Sequence, residues 1–155
     1  MINTLFIFSA KYLYLLVGII AIIYFWKQPR ATQKQIFIFA VVALPLIYIV
    51  AKIASLFYYS TRPFVLGGFQ PLIPHEADNG FPSDHTLVSA AISSVLYPFS
   101  EKVSMAGWIL TLLVGLSRIC VGVHQPIDIF GSIIIAIIIS VVAYQLVQRL
   151  KYYLI

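Results

Sequence analysis

The chain has 155 residues, of which 61% are hydrophobic and 10% are charged. Soluble domains carry roughly 25% charged residues, so most of this chain is expected to lie in lipid. The high hydrophobicity excludes intrinsic disorder, and the single Cys120 excludes a disulfide scaffold. The net charge of +5 comes from cations scattered along an apolar chain, so it indicates membrane orientation and no nucleic-acid partner.

Five apolar stretches follow one another along the chain, at about residues 4–26, 36–59, 84–99, 103–121 and 127–148. Each is predicted to be a helix, because a helix satisfies its own backbone polar groups in hydrocarbon. Lys11 lies within the first stretch: either its side chain snorkels to the interface, or the span starts near Tyr12. The third stretch is short, so its N-terminus is expected to be recessed. We predict an all-α bundle of about five transmembrane helices, forming a single membrane-embedded domain over residues 1–155.

Residues 60–83 form a long link that holds four of the eight prolines and three of the eight glycines. A structured loop of this length is usually functional. In a five-span bundle the cations of the short links and the C-terminus share one side, which is expected to be the cytoplasm; they are Lys27, Arg30, Lys34, Lys102, Arg149 and Lys151. The long link, the 118–126 turn and all three histidines then face outward. This grouping predicts an extracytoplasmic active site.

The most informative segment spells S-R-x5-H-x3-D, from Ser117 to Asp128. His124 and Asp128 are four residues apart, so they share a face if the chain is helical there. An aspartate beside an imidazole fixes its tautomer and makes the other nitrogen more nucleophilic. Arg118 could hold phosphate oxygens bidentately. The alternative is a capping aspartate in a polar interfacial turn.

Two further segments belong to the same membrane level. In FPSDH, Ser83 or Asp84 is a natural N-cap, so His85 lies in the first turn of the third helix, where it could donate a proton. That helix N-terminus also suits an anion. Arg62 and Pro63 follow the second helix. Together the three segments supply the charge clamps, nucleophile and general acid that phosphoryl transfer without a metal requires.

The order RP … PS-x-H … SR-x5-H-x3-D resembles the type-2 phosphatidic acid phosphatase superfamily of membrane lipid phosphatases. The stretch HEADNGFPSDH, residues 75–85, further resembles the bacterial undecaprenyl-diphosphate phosphatases of the bacitracin-resistance type. The resemblance implies hydrolysis of a polyprenyl diphosphate to the monophosphate and phosphate, at the outer face of the bacterial cell (inner) membrane, through a phosphohistidine. It implies no metal and no cofactor; the partners are the lipid diphosphate and the bilayer.

The resemblance also implies a role for each matching residue. His124 would be the nucleophile, Asp128 would orient it, and His85 would protonate the departing lipid phosphate. The transferred phosphoryl group would be bound by Arg62, Arg118 and Ser83.

Two positions depart from the pattern of the family. The family usually places a lysine seven residues before the arginine of the RP pair, where this chain has Ser55; Lys52 lies one helical turn deeper and is the substitute candidate for binding phosphate. Asp84 replaces the common glycine of PSGH, as fits the undecaprenyl-diphosphate subgroup.

Three loop residues, His75, Glu76 and Asp78, remain open: they could contact the distal part of a diphosphate, stabilise the loop, or have no chemical role. A zinc site is not expected, because the histidines lack ligand spacing, and no G-x-S-x-G surrounds Ser83. Two other functions stay possible: a phosphatase for phosphatidic acid or phosphatidylglycerophosphate, and a non-catalytic membrane subunit that binds an anion.

Overall fold

The structure is a computed structural model that describes the backbone of residues 2–153 and the side chains of residues 2–150. Its helices are α1 (Ile2–Trp26), α2 (Arg30–Phe57), α3 (Pro63–Gly67), α4 (Asp84–Leu96), α5 (Glu101–Cys120) and α6 (Pro126–Tyr153). The predicted all-α fold is therefore confirmed. The five long stretches correspond to α1, α2, α4, α5 and α6, while α3 is a short helix inside the long link.

Four helices, α1, α2, α5 and α6, are long and apolar enough to cross a membrane. The 13 residues of α4 reach only about 20 Å, less than the roughly 30 Å of a bilayer core. The chain is thus a multi-pass membrane protein in which α4 depends on its neighbours for cover.

Helix α4 lies in the centre, packed against α1, α2, α5 and α6. Small residues make this packing close. The Ser104 hydroxyl donates to the Ser93 carbonyl oxygen over 2.8 Å, and a Cβ on Gly107 would lie 2.5 Å from the Ser93 hydroxyl oxygen. The buried hydroxyls of Ser89 and Ser93 bond to backbone carbonyls of α4 itself. The short α4 is thereby packed among longer helices, and the hydroxyls of these serines all have hydrogen-bond partners.

The start of α2 differs from the boundary predicted at about residue 36. Helix α2 begins at Arg30, directly after Pro29, so the first link is confined to residues 27–29. The Gln33 amide donates to the Phe25 carbonyl oxygen over 3.2 Å, and this bond joins the start of α2 to the end of α1. Polar residues that the hydropathy pattern assigns to a link therefore extend the helix beyond the hydrocarbon.

The long link folds back over the turn between α5 and α6. The Leu72 amide donates to the Val121 carbonyl oxygen over 3.0 Å. Ile73, Val121 and Val123 form a buried apolar cluster with Ala10 of α1. The long link and the α5–α6 turn, which carry motif residues, are thus joined to α1 at one end of the bundle.

Candidate active site

His124 and Asp128 form a buried pair at the start of α6. The chain turns into the helix at Pro126, and this brings Asp128 Oδ2 to 3.2 Å from His124 Nδ1. The same oxygen accepts the Gln125 amide over 2.8 Å. Asp128 is fully buried and His124 nearly so. The contact favours the tautomer protonated on Nδ1, which leaves the lone pair of Nε2 free.

Arg118 faces the other side of the imidazole. Its Nη2 lies 3.5 Å from His124 Nε2, and its Nη1 donates to the Ala10 carbonyl oxygen over 3.4 Å. The residue is 3% exposed, yet within the described part of the chain its Nε has no hydrogen-bond partner. A buried guanidinium donor without a protein partner, next to a free imidazole nitrogen, is suited to an anionic oxygen.

Arg62 joins the long link to the same turn. Its Nη1 donates to the Val123 carbonyl oxygen over 2.8 Å, and its Nε donates to Asp78 Oδ1 over 2.7 Å. A weaker contact of 3.4 Å runs from Nη2 to the Asn79 carbonyl oxygen. Arg62 is buried, so these contacts fix its guanidinium beside the residue that precedes His124.

The start of α4 is attached directly to α6. The Ser83 amide contacts the Asp128 carbonyl oxygen at 3.3 Å, and the Ser132 hydroxyl donates to the Ser83 carbonyl oxygen over 3.0 Å. Ser83 occupies the N-cap position, but its hydroxyl makes no capping bond; it accepts from the Thr86 hydroxyl over 3.1 Å. His85 lies in the first turn, half-buried, with its ring edge-on to Tyr14 at a centroid distance of 4.6 Å.

Lys52 lies apart from the buried groups. Its Nζ is 3.4 Å from Asp84 Oδ1, and the two side chains are 48% and 65% exposed. The ammonium also lies 5.2 Å from the centroid of the Tyr48 ring. The structure therefore places Lys52 beside the residue that precedes His85.

Asn79 is an organising residue that the sequence motifs do not reveal. Its side-chain oxygen accepts the amides of Ser60 and Phe81 over 2.9 and 3.0 Å. Its side-chain nitrogen donates to the carbonyl oxygens of Ser55 and Tyr58, both over 3.0 Å. This one side chain ties the end of α2 to the returning link. The Asn-Gly dipeptide at 79–80 is the available sequence signal, because asparagine often bonds nearby backbone in turns.

His75 also comes closer to the site than its place in the loop indicates. Its ring lies edge-on to the ring of His124, with centroids 6.1 Å apart, and it is half-buried. Asp78 is held by Arg62, so loop structure accounts for that aspartate. Glu76 is exposed, and its backbone carbonyl oxygen is 3.4 Å from His75 Nδ1.

Burial, reinforced by two arginine charges, favours the neutral form of His124 by lowering its pKa. Burial lowers the pKa of His124 below 6.5; the Asp128 hydrogen bond opposes this, and the charges of Arg118 and Arg62 reinforce it. Partial burial and the same two arginines also lower the pKa of His75. Burial alone would raise the pKa of Asp78, but the hydrogen bond and charge of Arg62 outweigh it and lower the pKa. A neutral imidazole is the form that can act as a nucleophile.

Among the described residues, no three histidine, cysteine, aspartate or glutamate side chains lie close enough to hold a metal ion together. The site instead combines a buried His–Asp pair, two buried arginines and a second histidine at one end of a membrane helical bundle. These groups define a class of membrane protein with a buried cationic site that suits an anionic phosphoryl group.

The sequence profile of the PAP2 superfamily matches residues 35–152, which include all three motifs. The chain belongs to this superfamily.

Individual relatives agree with this assignment. The chain is 40% identical over 103 residues to the undecaprenyl-diphosphatase BcrC of Bacillus subtilis, a match covering 66% of the chain and 53% of that protein. The chain therefore spans about half the length of this relative. It is 29% identical over 153 residues to the bacitracin transport permease protein BcrC of Bacillus licheniformis, covering 98% of the chain and 75% of that protein. The crystal structure of Aquifex aeolicus LpxE is similar in fold, with a TM-score of 0.73 and 22% identity over 93% of the chain and 86% of that structure.

Proposed function

We propose that this protein hydrolyses a polyprenyl diphosphate, most specifically undecaprenyl diphosphate, to the monophosphate and inorganic phosphate. The reaction takes place at the outer face of a bacterial cell membrane, within one domain formed by residues 1–155. The name of the Bacillus subtilis relative supports the substrate class, and membership in the PAP2 superfamily supports phosphatase chemistry.

The mechanism is a double displacement. His124 Nε2 attacks the terminal phosphorus, a phosphorus–nitrogen bond forms, and the bond to the bridging oxygen breaks. His85 gives a proton to the departing lipid phosphate and then accepts one from the water that attacks the phosphohistidine. Asp128 orients His124, and Arg118, Arg62 and the backbone near Ser83 stabilise the charge on the transferred phosphoryl oxygens.

One observation carries the proposal. The nitrogen of His124 that is not bonded to Asp128 faces Arg118, whose buried Nε has no partner among the described residues. The proposed nucleophile therefore contacts a buried guanidinium that still has an unsatisfied donor. The structure of a merely capped interfacial turn requires neither feature.

Purified protein in detergent should release phosphate from undecaprenyl diphosphate, and His124→Ala should abolish this release. A matched control is Glu101→Gln, because Glu101 begins α5 at the opposite end of the bundle. Equal phosphate release by wild type and His124→Ala would refute the mechanism. Faster hydrolysis of phosphatidic acid or phosphatidylglycerophosphate than of the diphosphate would favour the monophosphate-lipid function instead.

The covalent intermediate can be tested separately. Lipid diphosphate with a ³²P-labelled terminal phosphate should give an acid-labile, alkali-stable phosphoprotein in a rapid quench, and His124→Ala should give none. EDTA should not change the rate. Anion binding without phosphate release by the wild-type protein would instead support a non-catalytic membrane subunit.

A further inference from the structure

The Lys52–Asp84 pair lies next to the proposed acid, on the exposed side of the site. The two side chains are 48% and 65% exposed, so the pair is open to a ligand. Exposed ion pairs of this kind contribute little to folding and are easily opened. Lys52 also belongs to a membrane-spanning helix, where a charged side chain is costly and therefore usually functional.

The geometry of the proposed reaction indicates what this pair can meet. In phosphoryl transfer the attacking and leaving atoms lie roughly in line with phosphorus, so the leaving group lies opposite His124. His85 protonates that leaving group, and Asp84 directly precedes His85 on α4. When the substrate is a diphosphate, the leaving group carries a phosphate of its own.

We infer that Lys52, which pairs with Asp84 in the free protein, binds the lipid-proximal phosphate of a diphosphate and thereby selects diphosphate lipids over monophosphate lipids. This inference rests on the proposed function and deepens it. It differs from a role on the transferred phosphoryl group, which the proposed function assigns to the buried Arg62 and Arg118.

The two members of the pair have opposite effects on such a phosphate. The carboxylate of Asp84 alone would repel it, whereas the ammonium of Lys52 neutralises that carboxylate. An ammonium carries three donors, so Lys52 can bond to Asp84 and to a phosphate oxygen at the same time. A monophosphate lipid presents no second phosphate at this place, so it gains little from Lys52.

Farnesyl diphosphate and farnesyl monophosphate are suitable probes, because they share one tail and differ only in the second phosphate. We expect Lys52→Gln to raise the KM for the diphosphate about tenfold or more, the effect of losing a hydrogen bond to a charged group. Its KM for the monophosphate should stay at the wild-type value, and Lys52→Arg should restore diphosphate binding. Lys11→Gln is the matched control, since it removes another exposed lysine near the same end of the bundle.

Asp84→Asn separates this role from a structural one. It removes the repulsive charge and leaves Lys52 free, so the KM for the diphosphate should be no higher than in wild type. If the ion pair were only structural, Lys52→Gln and Asp84→Asn would both raise the KM for the diphosphate and for the monophosphate. That result would overturn the inference. An unchanged diphosphate preference in Lys52→Gln would also overturn it while leaving the proposed function intact. A wild-type protein that releases no phosphate from any lipid diphosphate would refute both.

Discussion

At the scale of single residues, the state of His124 is decided by a balance of burial and charge. Burial lowers its pKa, the Asp128 hydrogen bond raises it, and the two arginines lower it again. The buried carboxylate keeps the proton on Nδ1, and the net shift keeps Nε2 unprotonated. The surroundings that we propose to hold a phosphate therefore also keep the proposed nucleophile unprotonated.

This balance predicts the acid side of the pH–rate profile. Protonated His124 cannot attack phosphorus, so kcat/KM should rise as the pH increases through the pKa of His124. Because that pKa is lowered from 6.5, the midpoint of the rise should lie below pH 6.5. The midpoint can be measured from initial rates on farnesyl diphosphate between about pH 4 and about pH 8, a range that spans the usual histidine pKa.

Asp128→Asn tests the origin of the shift. Removing the carboxylate removes the contribution that raises the pKa of His124, so the midpoint should move to still lower pH. The rate should also fall by about 10²–10⁴-fold, since the tautomer is no longer fixed. Glu101→Gln, at the start of α5, serves as the control and should change neither quantity. A midpoint that moves upward in Asp128→Asn would contradict the charge balance.

At the scale of elements, the returning link touches the His–Asp pair through Gly80. A Cβ at this position would lie 2.9 Å from Asp128 Oδ2 and 3.1 Å from the Ser60 carbonyl oxygen. The Gly80 amide donates to that same carbonyl over 2.9 Å, so the backbone has little room to withdraw. The Asp128 carboxylate is the group that can move, and its movement misplaces His124.

Gly80→Ala should therefore lower kcat by about 10²-fold, the typical cost of a misplacement of about 1 Å. Overpacking should also reduce the free energy of unfolding by about 1–3 kcal/mol. Gly18→Ala is the matched control, because nothing lies within 4 Å of a Cβ there. Gly18→Ala should keep full activity. Because Gly18 lies inside helix α1, the alanine should stabilise the protein by roughly 0.5–1 kcal/mol. Equal activity in the two variants would show that the link does not position Asp128.

The elements also show where sequence reasoning succeeds and where it stops. Long apolar runs predict the five principal helices, because a helix in lipid has few alternatives. The H-x3-D spacing predicts the contact between His124 and Asp128, because it depends only on one helical turn. Residues 60–83 carry no comparable periodicity.

The partners inside this link depend on the folded chain and cannot be predicted from spacing. Three kinds of contact join segments that are distant in sequence. They are the pairing of Arg62 with Asp78, three of the four hydrogen bonds of the Asn79 side chain, and the approach of His75 to His124. The pairing of Lys52 with Asp84 joins residues 32 positions apart. Sequence indicates only that Lys52 lies one turn below the position usual in the family.

At the scale of the whole molecule, charge asymmetry sets the proposed orientation. Cations flank the end of the bundle at the α1–α2 link and the start of α5, whereas the His–Asp pair, α3 and the long link lie at the other end. The positive-inside rule then directs the site outward, toward a lipid headgroup in the outer leaflet. A site recessed at the start of the short α4 fits a substrate whose tail stays in the bilayer.

Single-cysteine labelling in intact cells tests this orientation, because Cys120 is the only cysteine and can be removed as Cys120→Ser. In that background, Ala77→Cys places an exposed thiol in the long link, and Ala31→Cys places one in the first turn of α2. A membrane-impermeant maleimide should label the first variant in intact cells and the second only after permeabilisation. Labelling after permeabilisation also shows that the second thiol is reactive. Labelling of Ala31→Cys alone in intact cells would place the cations outside and the His–Asp pair on the cytoplasmic side. Because the link and the pair are tied together through Arg62 and Val123, the thiol at position 77 reports on the side of the membrane that holds the site.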